Sequence, residues 1–430
     1  MLSIDERTHI RLLMQQEIVP SIGCTEPVAV ALCTAKACSV LGKRTERIEA
    51  FLSANVLKNA LGVGIPGTGM TGLPIAIALG ALTGNPEEGL ELLKHVTPEE
   101  VEQGKRFIEE GRIEIRRQTG VTDKLYIRVR CSGGGESAVS VITGSHNHFT
   151  YIEKNGEALL DEPTTGSKED NAGNEAPLNF RTVYQYAVES PIEELSFILE
   201  AARMNRKASG EATLHAYGHN VAGSLKNKNG LHIFGDNLHT RMLISTAGAC
   251  DMRMDGALIP VMSNSGSGNQ GIAATMPVLT YAESESCSDE QLIRALTMSS
   301  LLIIHIKRQL GRLSALCGCV VASTGSSCGI TYLMGGAYEQ IVFAAKNMIA
   351  NITGMICDGA KPGCALKIAS GVSTAALSAI MAIENKGVTS REGIIDEDID
   401  RTIENLARIG NNGMQETDEL VLNIMTSKLG

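Results

Sequence analysis

The chain has 430 residues, a formal net charge of -10, 43% hydrophobic residues and no tryptophan. A single hydrophobic core usually stops growing at roughly 250 to 300 residues, so two domains are expected. The acidic balance argues against nucleic acid and anionic membranes as partners, because both require clustered Lys and Arg side chains.

The predicted compartment is the cytoplasm. No uninterrupted apolar run reaches the roughly 18 to 20 residues of a spanning helix, and the N-terminus MLSIDERTHIRLL carries acids where a signal peptide would be basic. A reducing cytosol keeps thiols free. The 11 cysteines are therefore expected to be core residues or metal ligands rather than disulfides.

Helices separated by glycine loops are predicted over residues 1 to 110. They are IRLLMQQEIV, VAVALCTAKACSVL, LPIAIALGALTG and PEEVEQGKRFIEEG, of which the last begins at Pro98 with acids in its first turn. Residues 112 to 153 alternate apolar and polar side chains, with turn signals GVTD, GGGE and SHN between the segments. This pattern predicts an antiparallel β meander, and a polar, turn-rich segment follows at 158 to 179.

Helical periodicity returns at about residue 190 and dominates the rest of the chain. The predicted fold class is therefore α+β, with N-terminal helices and an antiparallel β meander followed by a mostly helical C-terminal domain. The expected boundary separates an α+β domain at 1–188, which carries active-site loops, from a helical domain at 189–430.

Two segments contain the GxGxxG pattern, GIPGTGMTG at 64 to 72 and SGSGNQG at 265 to 271. Neither has the context of a dinucleotide site, because Pro66 interrupts the first would-be strand and the second lacks a βαβ unit. We expect each loop to open a helix whose free N–H groups can receive a carboxylate. Turns required only by packing are an equally weighted alternative.

Several cysteines lie close together in the C-terminal half. Cys317, Cys319 and Cys328 belong to LSALCGCVVASTGSSCG, and Cys357 and Cys364 enclose CDGAKPGC. The Asp-Gly, Pro and Gly residues of that loop prevent a continuous helix, so its two thiolates can converge. CxxC knuckles typical of zinc are missing, which favours an iron-sulfur cluster with one open iron. Cys319 and Cys328 remain undecided, and a core role is expected for Cys33, Cys38, Cys131, Cys250 and Cys287.

Five stretches together resemble the L-cysteine desulfidases, relatives of the alpha chain of iron-sulfur L-serine dehydratases. They are GCTEP (23 to 27), NVLKNALGVGIPGTG (55 to 69), SNSGSGNQG (263 to 271), GRLSALCGC (311 to 319) and CDGAKPGC (357 to 364). They are spread over most of the chain, and the meander and residues 160 to 180 match least. The resemblance implies a lyase that converts L-cysteine to pyruvate, ammonia and sulfide, with a 4Fe-4S cluster held by Cys317, Cys357 and Cys364.

The resemblance also places Cys24 of GCTEP at the active site, where it would close the fourth iron position or handle a proton. At a helix start, the dipole is expected to lower the pKa of its thiol from about 8.5. As general base, Cys24 ranks ahead of Lys361 and His146. A merely structural cysteine is the alternative.

Candidates for holding the substrate carboxylate lie on the segment 55 to 69 and on the second glycine loop. They are Asn55, Lys58, Asn59, Gly67, Thr68, Gly69, Ser265, Ser267 and Asn269. An isolated lysine such as Lys58 is more often a solvated helix charge. His146 and His148 would share a face if they lay on a strand and could then bind a metal, although a turn histidine without such a role is commoner.

Two other functions remain open. An L-serine dehydratase shares the chemistry and differs in the leaving atom, and a non-catalytic metal or amino-acid sensor would use the same cysteines and loops for binding alone. The expected partner is a small amino-acid substrate, and a homodimer is a possible assembly.

Overall fold

The structure is a computed structural model that describes residues 2–121, 123, 125–162, 178–311 and 314–427. Most of the predicted turn-rich segment, residues 163–177, lies outside the described residues. The helices are α1 Ile4–Glu17, α2 Thr25–Leu41, α3 Ala54–Ala60, α4 Leu73–Leu82, α5 Pro98–Glu109, α6 Phe180–Glu189, α7 Ile192–Leu195, α8 Ile198–Glu211, α9 Val221–Lys226, α10 Lys228–Phe234, α11 Leu238–Met254, α12 Gly268–Ser284, α13 Asp289–Leu310, α14 Gly318–Leu333, α15 Tyr338–Ile352, α16 Cys364–Ile383, α17 Ile399–Arg408 and α18 Gln415–Thr426. A 3-10 turn at Pro86–Glu91 and a π turn at Ile409–Gly413 complete the helical elements of the described residues.

The strands are β1 Pro20–Ser21, β2 Arg47–Leu52, β3 Gly64–Ile65, β4 Met70–Thr71, β5 Ile113–Arg117, β6 Tyr126–Gly133, β7 Glu136–Thr143, β8 Phe149–Lys154, β9 Glu157–Asp161 and β10 Val261–Met262. Six of them form one sheet in the order β5-β2-β6-β7-β8-β9. The predicted α+β class is confirmed, as are the four N-terminal helices.

The prediction of a simple meander is wrong at its first strand. β5 pairs with β2 in parallel, and β2 pairs with β6 antiparallel, so that β2 lies between them. The sequence analysis did not predict β2, whose six residues lie between α2 and α3. The rest of the meander, β6 to β9, is antiparallel as expected, and β9 takes up the beginning of the predicted turn-rich segment.

A central helix of small residues organises the C-terminal part. α14 contacts α12, α13, α15 and α16, and nearly all of its residues are buried. A Cβ atom at Gly325 would lie 2.4 Å from the carbonyl oxygen of Ser299 on α13, so only glycine permits this approach of the two backbones. The glycine, alanine and serine content of the helix thus allows close helix packing.

By length and composition alone, α16 would qualify as a membrane-crossing helix. The sequence analysis expected no membrane-crossing stretch, because it looked for an uninterrupted apolar run. Serine, threonine and lysine interrupt α16, but its mean hydropathy stays high enough for the helix to qualify. In the structure α16 packs against α11, α14 and α15, and 39% of its apolar stretch is buried.

The described residues form two hydrophobic cores, and each chain end reaches into the core made mostly by the opposite half. Ile10 and Met14 of α1 belong to the core of the C-terminal helices. Leu422 of α18 belongs to the core of the sheet and its covering helices α2 and α4. The domain boundary at residues 188 and 189 stays a prediction.

Candidate functional site

A cavity of about 1940 Å³ collects most of the predicted site residues. Its wall includes residues of both cores, from the start of α2 to the start of α16. The predicted residues in its lining are Cys24, Lys58, Asn59, His146, Ser265, Ser267, Asn269, Cys317, Cys357 and Cys364. Those outside the lining are Asn55, Gly67, Thr68, Gly69 and Lys361.

Two of the predicted cluster ligands are held side by side by backbone pairing. The amide of Cys317 donates to the carbonyl of Met355 at 2.9 Å, and the amide of Cys357 donates to the carbonyl of Ala315 at 2.7 Å. Between them, Leu316 and Ile356 form an antiparallel bridge. A short two-stranded contact therefore brings together cysteines that are forty residues apart in sequence.

The third cysteine reaches the same wall through a helix start. Cys364 is the first residue of α16, and Cys317 is the residue that caps α14. The N-terminus of a helix carries a partial positive charge, which favours a thiolate or an anionic cluster. Two helices thus direct their positive ends at the region where the three cysteines line the cavity.

Burial disfavours the ionised thiols of Cys317 and Cys364 unless a cation lies beside them. Burial raises the pKa of Cys317 well above its usual value, and the neighbouring thiols of Cys319 and Cys357 raise it further. Burial also raises the pKa of Cys364. Metal ligation replaces thiol protons and so removes this penalty.

A single metal ion fits the described residues poorly, because no group of three His, Cys, Asp or Glu side chains among them converges on one point. An iron-sulfur cluster binds each cysteine at a different iron atom, so its ligands stand farther apart than those of one ion. Three thiols that line one cavity match the number of protein ligands of a cluster with one open iron, and their assignment as its ligands stays a prediction.

The remaining cysteines, apart from Cys24, fit core roles. All 11 are free thiols. Cys328 is buried with its Sγ donating to the carbonyl of Ile341 at 3.6 Å. Cys319, although it lines the cavity, donates to the carbonyl of Lys367 at 3.0 Å. Cys38 and Cys131 lie with their sulfur atoms 3.3 Å apart between α2 and β6.

The loop CDGAKPGC is braced by two ion pairs to its Asp358, one from within the loop and one from α16. Asp358 accepts from both Lys361 and Lys367. Lys361 Nζ also donates to the carbonyl of Asp358 at 2.8 Å, which ties its side chain to the loop. These contacts favour a structural role for Lys361, and its assignment as a base stays a prediction without support from the lining of the cavity.

Gly359 joins this loop to α3. Its φ is +87°, and a Cβ atom there would lie 1.9 Å from the carbonyl oxygen of Lys58. The substitution Gly359→Ala is therefore expected to destabilise the fold by about 3 kcal/mol or more, through both backbone strain and steric overlap. Thermal unfolding followed by circular dichroism measures the effect.

Gly354→Ala is the matched control for that prediction. Gly354 has an ordinary φ, and a Cβ atom there would meet no other atom within 4 Å. Its replacement is therefore expected to change the free energy of unfolding by less than about 0.5 kcal/mol. Equal melting temperatures for the two variants would contradict the role assigned to Gly359.

Cys24 follows Gly23, a position whose backbone conformation and close packing favour glycine. Gly23 has a φ of +64°, and a Cβ atom there would lie 2.5 Å from Cγ of Pro66 in the first glycine loop. Cys24 then occupies the capping position of α2 but makes no side-chain capping bond. Its thiol lines the cavity and does not cap the helix, which explains why a weak capping residue stands at this helix start.

The expected low pKa of Cys24 is wrong. Burial raises its pKa well above the usual value, and the charge of Glu26 raises it further, while Arg253 acts in the opposite direction. The thiol donates to Glu26 Oε2 at 3.0 Å, and Glu26 Oε1 accepts from the Asn59 amide at 3.0 Å. Desolvation and a neighbouring carboxylate outweigh the helix dipole here.

Lys58 is buried but not free. Its side chain is 3% exposed, and its ammonium group pairs with Asp418 of α18. The same helix is held to β5 by Arg117, which contacts both oxygens of Glu419 at 2.9 and 3.0 Å. The chain itself thus supplies a counter-charge for Lys58, and a role in binding the substrate carboxylate stays a prediction.

The two glycine loops differ in their relation to the cavity. Gly67, Thr68 and Gly69 form the tip of the hairpin β3–β4, where Thr68 Oγ1 donates to the carbonyl of Ile65 at 2.8 Å. The second loop leads into α12, whose capping residue Ser267 lines the cavity. Both loops precede helices as expected, since α4 starts directly after Gly72.

The strand arrangement considered for the two histidines is not found. His146 and His148 lie in the turn between β7 and β8. Both line the cavity, and His148 Nε2 lies 3.1 Å from Glu162 Oε2. A metal pair on one strand face is thereby ruled out, whereas a proton-transfer role for His146 stays a prediction.

The polar residues of the wall that the sequence analysis did not single out include Glu26, Arg253 and Gln270. Glu26 is part of GCTEP, and its spacing of two from Cys24 was the available signal. Arg253 Nη2 donates to the carbonyl of Gly23 at 2.7 Å, and its Nη1 donates to Asn269 Oδ1 at 3.1 Å. No sequence pattern marks an arginine at the end of α11 as the link between the loop that precedes α2 and the start of α12.

Comparison with known proteins finds relatives that match nearly the whole chain. The chain is 58% identical over 423 residues to a UPF0597 protein of Bacteroides fragilis, covering 98% of this chain and 99% of the relative. A UPF0597 protein of Phocaeicola vulgatus is 58% identical over 429 residues, covering 100% and 99% of the two chains. One from Porphyromonas gingivalis is 52% identical over 432 residues, covering 99% and 100%.

The family profile described as serine dehydratase alpha chain matches residues 87–423. That range contains the second glycine loop, Arg253 and the three cysteines of the cavity wall. One family match thus covers most of the helical core, most of the sheet and the loops of the three cysteines, and the chain belongs to the serine dehydratase alpha-chain family.

Proposed function

We propose that the protein is an iron-sulfur-dependent carbon-sulfur lyase that converts L-cysteine to pyruvate, ammonia and sulfide. The observation that carries this proposal is the presence of Cys24, Cys317, Cys357 and Cys364 in the lining of one cavity. Membership of the serine dehydratase alpha-chain family supports β-elimination as the reaction type. The motif resemblance to L-cysteine desulfidases supports sulfide as the leaving group.

Cys317, Cys357 and Cys364 would hold a 4Fe-4S cluster. A bound cluster with one open iron supplies a Lewis acid that stabilises developing negative charge on the substrate. Lys367 adds positive charge close by, because its Nζ donates to the carbonyl of Ile356 at 2.7 Å, one residue before Cys357.

Cys24 and Glu26 handle the protons. Elimination requires removal of the Cα proton and release of the β-sulfur, both of which are slow without acid–base help. The thiol of Cys24 gives its proton to Glu26 across their 3.0 Å hydrogen bond while it takes up the Cα proton, so that Glu26 ends the step protonated. That proton then returns to the departing sulfide, and the aminoacrylate left behind hydrolyses to pyruvate and ammonia.

The test is anaerobic purification followed by parallel assays with L-cysteine and L-serine. The expected result is release of sulfide and pyruvate in equal amounts from L-cysteine, at a higher kcat/KM than pyruvate from L-serine. Absence of turnover with both amino acids would overturn the proposal in favour of a sensor.

The runner-up function is an L-serine dehydratase, which the name of the matching family favours. It requires the same proton transfers and differs in the departing atom, oxygen in place of sulfur. A higher kcat/KM for L-serine than for L-cysteine in the same assay would establish it.

A further inference from the structure

Arg253 is a buried cation for which the described residues provide no acidic partner. Its side chain lines the cavity, and Arg253 as a whole is only 5% exposed. Within the described residues it forms no ion pair, and its two side-chain hydrogen bonds go to a carbonyl and to an amide oxygen. Its Nε has no hydrogen-bond partner there. A buried charge is costly unless it is paired, which points to an anionic ligand as the missing partner.

The fold makes room for this guanidinium group. A Cβ atom at Gly268 would lie 2.2 Å from Arg253 Nε, so the first residue of α12 must be glycine for the arginine to occupy its place. The N-terminus of this seventeen-residue helix lies beside the same group and adds its own partial positive charge. Both features favour a carboxylate at this end of the cavity.

Gln270, two residues after Gly268 on α12, supplies a hydrogen-bond acceptor. It is 5% exposed, lines the cavity, and its Oε1 has no hydrogen-bond partner among the described residues. A Cβ atom at Gly318 would lie 3.1 Å from Cδ of Gln270, which places the amide beside the residue that follows Cys317. A carbonyl oxygen in this position can accept from an ammonium group.

We propose that Arg253 binds the α-carboxylate of the substrate and that Gln270 Oε1 accepts from its α-ammonium group. The two residues then select free α-amino acids and reject simple carboxylic acids. Gln270 lies toward Cys317, so the ammonium end faces the cysteine-lined wall, and the carboxylate end faces the loop of Cys24, which Arg253 contacts through Gly23. The inference rests on the proposed function only in taking the ligand to be an amino acid.

Isothermal titration calorimetry on the anaerobically purified protein tests it with two unreactive probes. L-alanine carries both charged groups but no β-leaving group, and propionate carries the carboxylate alone. The wild-type protein is expected to bind L-alanine at least about tenfold more tightly than propionate, because a hydrogen bond to a charged group contributes that much.

Gln270→Met is the decisive variant, since methionine keeps the shape of the side chain and removes the acceptor. It is expected to abolish the preference for L-alanine and to leave the affinity for propionate unchanged. Arg253→Lys is expected to weaken both probes by about tenfold or more, because lysine cannot form the forked contact. Iron content and melting temperature of each variant show whether the fold is intact.

Equal binding of the two probes by the wild-type protein would overturn the inference, as would a Gln270→Met variant that weakens both probes alike. Neither measurement depends on turnover. A protein that prefers L-alanine yet converts neither cysteine nor serine would support this inference and refute the proposed lyase. A protein that releases sulfide from L-cysteine but binds L-alanine and propionate equally would support the lyase and refute this inference.

Discussion

Replacing Cys317, Cys357 or Cys364 singly with serine is expected to remove bound iron and to lower sulfide release by more than about 100-fold. Loss of a residue that only orients a metal ligand already costs roughly 10- to 100-fold in metal affinity or activity, and loss of a direct ligand should cost more. The three thiols line one wall, and two of them are fixed by the pairing of residues 315–317 with 355–357. The measurements are iron content, visible absorption and sulfide release, all under anaerobic conditions.

Cys287→Ser is the matched control for the three ligand variants. Cys287 is a half-buried free thiol outside the lining of the cavity. Its variant is expected to retain iron and activity. If any one of the three ligand variants keeps its full iron content, the cysteine concerned does not bind the cluster.

Cys24→Ser is expected to keep iron and lose turnover, by about 100- to 10000-fold, the usual contribution of a positioned acid or base. Serine keeps the hydrogen bond to Glu26, but its hydroxyl is far less acidic than a thiol and cannot exchange a proton as readily. The readouts are iron content and kcat for sulfide release from L-cysteine. The comparison separates a residue that moves protons from one that holds the cluster.

Cys33→Ser controls for thiol loss on the same helix. Cys33 is fully buried on α2, away from the cavity, and its Sγ lies 3.1 Å from Ser140 Oγ. A serine hydroxyl can make the same contact, so full activity is expected. Full activity in Cys24→Ser would remove Cys24 from the mechanism. Loss of both turnover and iron in this variant would make Cys24 a cluster ligand instead.

The spacing of hydrophobic residues and the positions of turn residues predicted the long amphipathic helices and the strands β6 to β8, because each of these elements buries one face. They failed for α14, whose run of glycine, serine and threonine has low helix propensity and no polar face. The helix forms because it is surrounded on all sides by α12, α13, α15 and α16. Tertiary packing decides such a segment, and no local pattern reports it.

The site shows the same limit. The sequence indicated ten residues that do line the cavity, and nine of them, including all three proposed cluster ligands, belong to the stretches that carry the resemblance. The thiol pKa of Cys24 was predicted in the wrong direction, because burial and the position of the Glu26 carboxylate depend on how distant segments pack. Arg253 escaped for the same reason, since its significance comes from what surrounds it in three dimensions and from no neighbour in sequence.

The position of α18 has a consequence for substitutions that lie outside the cavity. Leu422 completes the core of the sheet, and Asp418 of the same helix neutralises Lys58 beside the cavity. A substitution that detaches this helix would leave a buried ammonium group without its counter-charge, which is costly. Damage to α18 is therefore expected to reach the pocket through Lys58, although no residue of this helix lines the cavity.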